Sequence, residues 1–363
     1  FDWCAVLICT LLAGGGVFWS AAEPLSHFQN PSPVFQGISG GTAAAIDPAL
    51  AVSYLHWGFL AWALVATTTT ITFSILEQRG EPLRPRTLLV NILPKGLING
   101  PIGDLADGLS VVAAIAGTVG PLGFLSLQLS DAAGQLPWLN NSAGLQSLVV
   151  VLLTAVFATS TVSGIQKGIK WLSEINVWLT RALAACLLLL GPGIWLIQHF
   201  FSGFLTYLTN LPQMALAPNE PPTNWVNGWT VFYWAWCIAY GPFVGLFVTR
   251  ISRGRTIRQV VIGMIGWGSL GSAVFFMIMG NYSLHLELTS ALNVSGLLAS
   301  DGAPTAIVAV LDTMPLRSVV IAVFCLVALI FAATTYDSAS YILAASATRR
   351  LPAGDDPPRW HRL

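Results

Sequence analysis

The chain of 363 residues is 55% hydrophobic and only 9% charged, with a mean hydropathy of +0.70. Soluble domains carry roughly 25% charged residues, so this composition excludes one and points to an integral membrane protein. Sixteen basic and sixteen acidic residues cancel, which excludes a general electrostatic attraction to nucleic acid.

Segments long enough to cross a bilayer, about 20 mostly apolar residues, fall at roughly 3–22, 52–76, 107–130, 145–163, 174–198, 228–249, 259–281 and 317–346. Basic residues sort between the connecting loops. Arg79, Arg84, Arg86 and Lys95 follow the second span, and Lys167 and Lys170 follow the fourth. Arg250, Arg253, Arg255 and Arg258 follow the sixth, and Arg349, Arg350, Arg359 and Arg362 the eighth. The alternate loops, 23–51, 131–144, 199–227 and 282–316, are expected to face the other side; Arg181 and Arg317 alone depart from the rule. The positive-inside rule then puts the first residue and the last loop in the cytoplasm. The five cysteines (Cys4, Cys9, Cys186, Cys237 and Cys325) lie in apolar segments without a CxxC or Cys/His spacing. Neither a disulfide framework nor a zinc site is expected. The chain opens on an apolar run without methionine and closes on "RRLPAGDDPPRWHRL", so we read it as a piece of a longer protein.

Two spans carry helix-breaking residues near mid-depth. The first reads "LLAGGGVFW" and the sixth "AYGPFVG". Such residues persist in lipid only where protein or a water-filled cavity meets the freed backbone. Spans one and six are five apart, the offset of a five-plus-five inverted repeat with paired discontinuous helices, which points to a transporter's midplane site. Close helix packing is the other explanation of the same glycines. In "NGWTVFYWAWCIAYGPF", Trp229, Tyr233, Trp236, Tyr240 and Phe243 recur at spacings of four and three, so they share one helical face. Trp225 and Trp229 read as an interfacial belt; Trp236 and Tyr240 lie deeper, with Cys237 on the neighbouring stripe. The second span adds Trp57 and Trp62, which a regular helix would hold about 140° apart. Aromatic faces favour a cation without hydrogen-bonding protons, at about 0.5–2 kcal/mol per contact.

These stretches resemble the betaine/carnitine/choline transporter family. The signature is "NGWTVFYWAWCIAYGPFVGLFVTRISRGRTIRQ", and "FWSAAEPLSHF", "LHWGFLAWAL", "GDLADGLSVVAAIAGTVGPLG", "SGIQKGIKWLSEIN" and "TTYDSAS" agree. The resemblance implies an all-α secondary transporter of the inverted five-helix-repeat, sodium-symporter-like class. Residues 1–363 would then be its core, family helices three to ten, without the first two and last two helices. It further implies uptake of a betaine-type or quaternary-ammonium solute by alternating access, contact with membrane lipid and a homotrimeric assembly.

By the same resemblance, Trp57 and Trp62 match two cage tryptophans. Val65 stands at the family's cage tyrosine and Cys237 at a further cage tryptophan, while Trp236 and Tyr240 flank it. The glycine-rich stretch of the first span falls on Leu11, Leu12, Ala13, Gly14 and Gly15, of which Ala13, Gly14 and Gly15 would face a substrate carboxylate. Thr334 and Thr335 match the hydroxyls of a sodium site completed by carbonyls near Cys9 and Leu12; no other cofactor is implied. The departures at Val65 and Cys237 leave room for a different small zwitterion, such as ectoine or a sulfonium compound, and for proton coupling or exchange. Asp337 and His56 are the candidate proton carriers. An enzyme would need a nucleophile, an acid–base pair or a metal set at depth, and the residues offer none.

Overall fold

The computed structural model describes residues 2–136, 139–163, 168–216, 224–348 and 357–361. Its long elements follow the apolar runs, because a buried backbone in lipid must satisfy its own hydrogen bonds. The first helix, α1, covers Asp2–Gln29. Next come α2 (Ile46–Trp57), α3 (Phe59–Trp62), a π turn (Ala63–Thr67) and α4 (Thr68–Gln78). The short α5 (Lys95–Ile98) leads into α6 (Pro101–Gly134), α7 (Ala143–Ser163), α8 (Gly168–Leu190) and α9 (Gly193–Leu216). Beyond 217–223, which lie outside the described residues, α10 (Asn224–Val226) and a π turn (Asn227–Val231) open α11 (Phe232–Ile251). A third π turn, Phe276–Gly280, joins α12 (Ile257–Phe275) to α13 (Asn281–Leu288). Finally α14 (Val294–Ser300) and α15 (Gly302–Asp312) precede α16 (Arg317–Ala347).

Among the described residues, six stretches are long and apolar enough to cross a membrane: Ala43–Gln78, Ala143–Thr161, Lys170–Leu190, Asn224–Ile251, Ile257–Leu288 and Arg317–Ala347. The two remaining expected spans are the helices α1 and α6, of 28 and 34 residues. At 1.5 Å per residue, 28 residues reach about 42 Å, enough to cross. α1 and α16 sit innermost. α1 lies against α2, α8, α12 and α16, while α16 also touches α6, α7 and α8.

The expected span 174–198 is corrected: the chain turns at Gly191-Pro192, so that span ends in α8. Proline cannot continue a helix's hydrogen bonding. Most of what reads as a loop, 199–227, is the helix α9, which packs along α2 through Gly203, where a Cβ would come within 2.8 Å of the Leu50 side chain. Within "LTSALNVSGLLA", α14 is helical, and the Asn293 side chain caps it by accepting from the Gly296 N–H at 2.8 Å.

The expected mid-depth breaks are also corrected. α1 is helical from Asp2 through Gln29, across the glycine run, and α11 continues through Gly241-Pro242. Gly241 and Gly245 serve close packing instead. A Cβ at Gly241 would lie 2.6 Å from the Val65 carbonyl oxygen, and one at Gly245 2.2 Å from Thr69 Oγ1. The Thr69 hydroxyl donates to the Gly241 carbonyl at 2.8 Å across the same seam. The interruption that does occur lies in the second span. Gly58 takes an extended conformation (φ −90°, ψ −158°) between α2 and α3.

The loops sort into two groups by what they touch. Asp2 pairs with Lys170, Glu77 with Arg253, and Arg255 lies 4.4 Å from the centre of the Trp3 ring. Arg84 donates to Asp107 at 2.8 Å and to the Ser346 carbonyl at 3.1 Å. At the opposite ends, Gln29 donates to Ser295 at 2.7 Å, Trp225 to the Asn30 carbonyl at 3.0 Å, and Thr305 to Asp131 at 2.7 Å. Basic loops meet basic-loop partners, and their alternates meet each other.

Candidate functional site

Two aromatic clusters flank the interrupted second span. In the first, Trp62, Val65 and Cys237 are buried together, with Trp236 and Tyr240 half-buried against them. The α11 helix brings this about, because positions 233, 237, 241 and 244 follow the 3.6-residue repeat and turn inward. Trp236 and Tyr240 stack on one another, centroids 5.3 Å apart and 13° from parallel, and Tyr240 meets Phe243 at 4.7 Å. They lean on α6 at Gly117, where a Cβ would lie 2.8 Å from the Tyr240 ring. Trp62 packs over Gly268 of α12 and donates its indole N–H to Ser272 Oγ at 3.3 Å. A cavity of about 940 Å³ between α6 and α7, lined by Val119, Gly123, Phe124, Gln146 and Tyr336 among others, touches none of these side chains.

Trp57 belongs to the other cluster. The bend at Gly58 separates it from Trp62, so the regular-helix angle between them does not apply. Its indole N–H donates to Glu23 Oε2 at 2.7 Å, and its ring lies 5.7 Å from that of Tyr233 and 5.8 Å from Phe276. The Tyr233 hydroxyl donates to the same oxygen at 2.5 Å. Glu23 Oε1 faces His56 Nδ1 at 2.7 Å and His27 Nε2 at 3.3 Å. All of these side chains are buried. Trp229, read as part of an interfacial belt, instead packs its ring 4.5 Å from His27 and 6.4 Å from Tyr233. Sequence reasoning missed Glu23 and His27. Their spacing of four on one helix, beside an apolar run, was the available signal: carboxylates at membrane depth are functional by default.

Of the positions proposed for a sodium ion, Cys9, Leu12 and Thr334 are buried and Thr335 nearly so, with α1 against α16. Thr334 donates to the Ile330 and Phe331 carbonyls at 3.0 Å, and Thr335 to the Phe331 carbonyl at 2.7 Å. A hydroxyl that donates in this way still presents its oxygen lone pairs to a cation. The Cys9 thiol faces α8, 3.7 Å from the Ser173 carbonyl and 3.9 Å from Asn176 Nδ2. Ala13, Gly14 and Gly15 are helical in the backbone, and their side chains lie outside the described residues. Asp337, on the same helix as the threonines, accepts from the Ser160 and Thr161 hydroxyls of α7, the latter at 2.7 Å.

A sequence profile of the betaine/carnitine/choline family transporters matches residues 1–363. The chain is 38% identical over 345 residues to "Glycine betaine transporter 2" of Vibrio parahaemolyticus, covering 95% of this chain and 63% of that protein. It is 34% identical over 347 residues to "Glycine betaine transporter OpuD" of Bacillus subtilis, covering 94% and 66%. The "Ectoine/glycine betaine/proline transporter EctP" of Corynebacterium glutamicum is 32% identical over 345 residues, covering 93% and 55%. The chain therefore spans between 55% and 66% of the length of these relatives.

Proposed function

Because this chain belongs to the betaine/carnitine/choline transporter family, we propose that it is the core of a secondary transporter that takes up a betaine-type compatible solute. The observation that carries this reading is the buried aromatic cluster of Trp62, Trp236 and Tyr240 around Val65 and Cys237, in a chain matched to the family from end to end. Aromatic faces hold a quaternary ammonium without asking for hydrogen-bond acceptors. The names of the relatives add glycine betaine, ectoine and proline as the solute class.

Sodium is the proposed coupling ion, taken up with the solute. It is a hard cation that prefers oxygen ligands, and Thr334 and Thr335 offer hydroxyl oxygens where α16 meets α1. Carbonyls near Cys9 and Leu12 would join them only with local opening of α1, which belongs to a different step of alternating access. The proposed setting is the bacterial cytoplasmic membrane, with the basic loops inside, and the proposed assembly is a homotrimer. Uptake of labelled glycine betaine by the full-length protein in proteoliposomes tests the whole reading. Accumulation is expected with an inward sodium gradient, and equal accumulation without one sinks the sodium assignment.

A second reading concerns the solute alone. Val65 and Cys237 stand where the resemblance implies tyrosine and tryptophan, so two aromatic walls are missing, and ectoine or a sulfonium compound fits a thinner cage. In competition with glycine betaine, the stronger competitor among ectoine, choline, carnitine and a sulfonium analogue identifies the solute.

A further inference from the structure

Glu23 joins three segments of the protein through one carboxylate. Oε1 meets His56 Nδ1 at 2.7 Å and His27 Nε2 at 3.3 Å, and Oε2 accepts from Trp57 Nε1 at 2.7 Å and the Tyr233 hydroxyl at 2.5 Å. An ionised carboxylate has about four lone-pair sites, and four donors fill them. In this arrangement His27 and His56 each turn an imidazole N–H to Glu23. His56 then has Nε2 free to accept from the Thr230 hydroxyl, 3.3 Å away. The cluster is buried, with Tyr233 stacked on His56 at 4.4 Å.

The same three groups form a donor set that zinc uses, with ligand atoms within 4.8 Å of one another. A metal would need each imidazole proton moved to the far ring nitrogen and the 2.7 Å Glu23–His56 contact opened to the roughly 3.3 Å between ligands at tetrahedral zinc. A closed set of hydrogen bonds describes the geometry better.

We infer that Glu23 is a positioning residue for cation recognition, acting through Trp57. The inference rests on the transport reading above, together with the family resemblance that matches Trp57 to a cage tryptophan. A hydrogen bond to an ionised acceptor is among the stronger kinds, so it fixes the indole plane. It also pushes electron density onto the ring, whose negative face is what attracts a cation. Trp62 differs, because its N–H meets only the neutral Ser272 hydroxyl at 3.3 Å. The two tryptophans are thus unequal: Trp57 is the anchored, electron-rich one.

The test is uptake kinetics for glycine betaine with the full-length protein in proteoliposomes, comparing wild type, Glu23→Gln, Trp57→Phe and the double variant. Glu23→Gln is expected to raise KM about tenfold, the scale of one cation–π contact, with kcat held within about twofold, since the interaction is one of binding. Trp57→Phe keeps an aromatic ring but removes the N–H together with the fused five-membered ring, so it reads the loss of the Glu23 contact plus a smaller cation-binding face, even if Glu23→Gln fails to reach the membrane. The double variant is expected to be no worse than Trp57→Phe alone, because both substitutions remove the one Glu23 contact. An unchanged KM in Trp57→Phe, or a double variant about a hundredfold impaired as for independent sites, overturns the assignment. Wild-type vesicles that take up no quaternary-ammonium solute overturn the transport reading together with it. Wild-type uptake with unaltered variants overturns the positioning role alone.

Discussion

Cys237 is 1% exposed and packed with Trp62 and Val65. Among the described residues it has no hydrogen-bond partner that would explain a thiol there, and burial makes it a small apolar filler. Two substitutions separate its packing from its place in the site. Cys237→Trp inserts a large ring into a filled space, which costs about 1–3 kcal/mol of overpacking, so thermal unfolding of the detergent-solubilised protein is expected to fall. If the position borders the solute, the same variant shifts competition toward glycine betaine; an unchanged competition profile removes Cys237 from the site. Trp62→Ala and Trp236→Ala are each expected to raise the apparent KM for uptake about tenfold, from the loss of about 1–2 kcal/mol of ring contact. Unchanged KM in both would take the aromatic cluster out of the account.

At the scale of elements, glycine decides how helices meet. The α4–α11 seam is set by Gly241 and Gly245, where a Cβ would meet Val65 O at 2.6 Å and Thr69 Oγ1 at 2.2 Å. Gly245→Ala is expected to destabilise the protein by about 1–3 kcal/mol, read as a lower midpoint in thermal unfolding. Gly58→Ala brings a Cβ to 2.2 Å from the Tyr54 carbonyl oxygen and is expected to cost a similar amount, about 1–3 kcal/mol. A midpoint equal to wild type in either variant would show that the seam or the bend relaxes freely. These glycines also mark the limit of what the sequence told. Gly-Gly-Gly in α1 and Gly-Pro in α11 read as breaks, yet both helices continue. A glycine that lets two backbones approach and one that ends a helix look the same in one dimension. The true bend, at "HWGF", lies in an unremarkable apolar run. Aromatic spacing of three and four did carry over: Trp236 and Tyr240 stack, and Trp229 and Tyr233 stack too.

For the molecule as a whole, charge placement was the most legible feature. Lys and Arg positions divide the loops by side, and the contacts group the same loops: Asp2 with Lys170, Glu77 with Arg253, and Gln29 with Ser295. Cysteine introduced at Ser295 is expected to react with an impermeant maleimide on intact cells, and one at Gly254 only after permeabilisation. Labelling of both from outside would overturn the sidedness. The Glu23 cluster was not legible, because His56 and Tyr233 lie 33 and 210 residues from Glu23 in the chain. Only folding brings them together. The α8–α9 turn was hidden for a simpler reason, since a hydropathy window averages across Gly191-Pro192.

The three π turns among the described residues, at Ala63–Thr67, Asn227–Val231 and Phe276–Gly280, have a consequence for how such a chain tolerates changes in length. A π turn holds one residue more than the α-helical turn it replaces. Each is therefore a place where a single deletion would restore the ordinary ladder. The one at Asn227–Val231 sits one turn before Tyr233. Deleting a residue there would turn the start of the helix by about 100° relative to the rest, carrying Trp229 away from His27 while Trp236, Cys237 and Tyr240 keep their register with α6. Length changes in this segment would thus reset the outer cluster and leave the inner one intact.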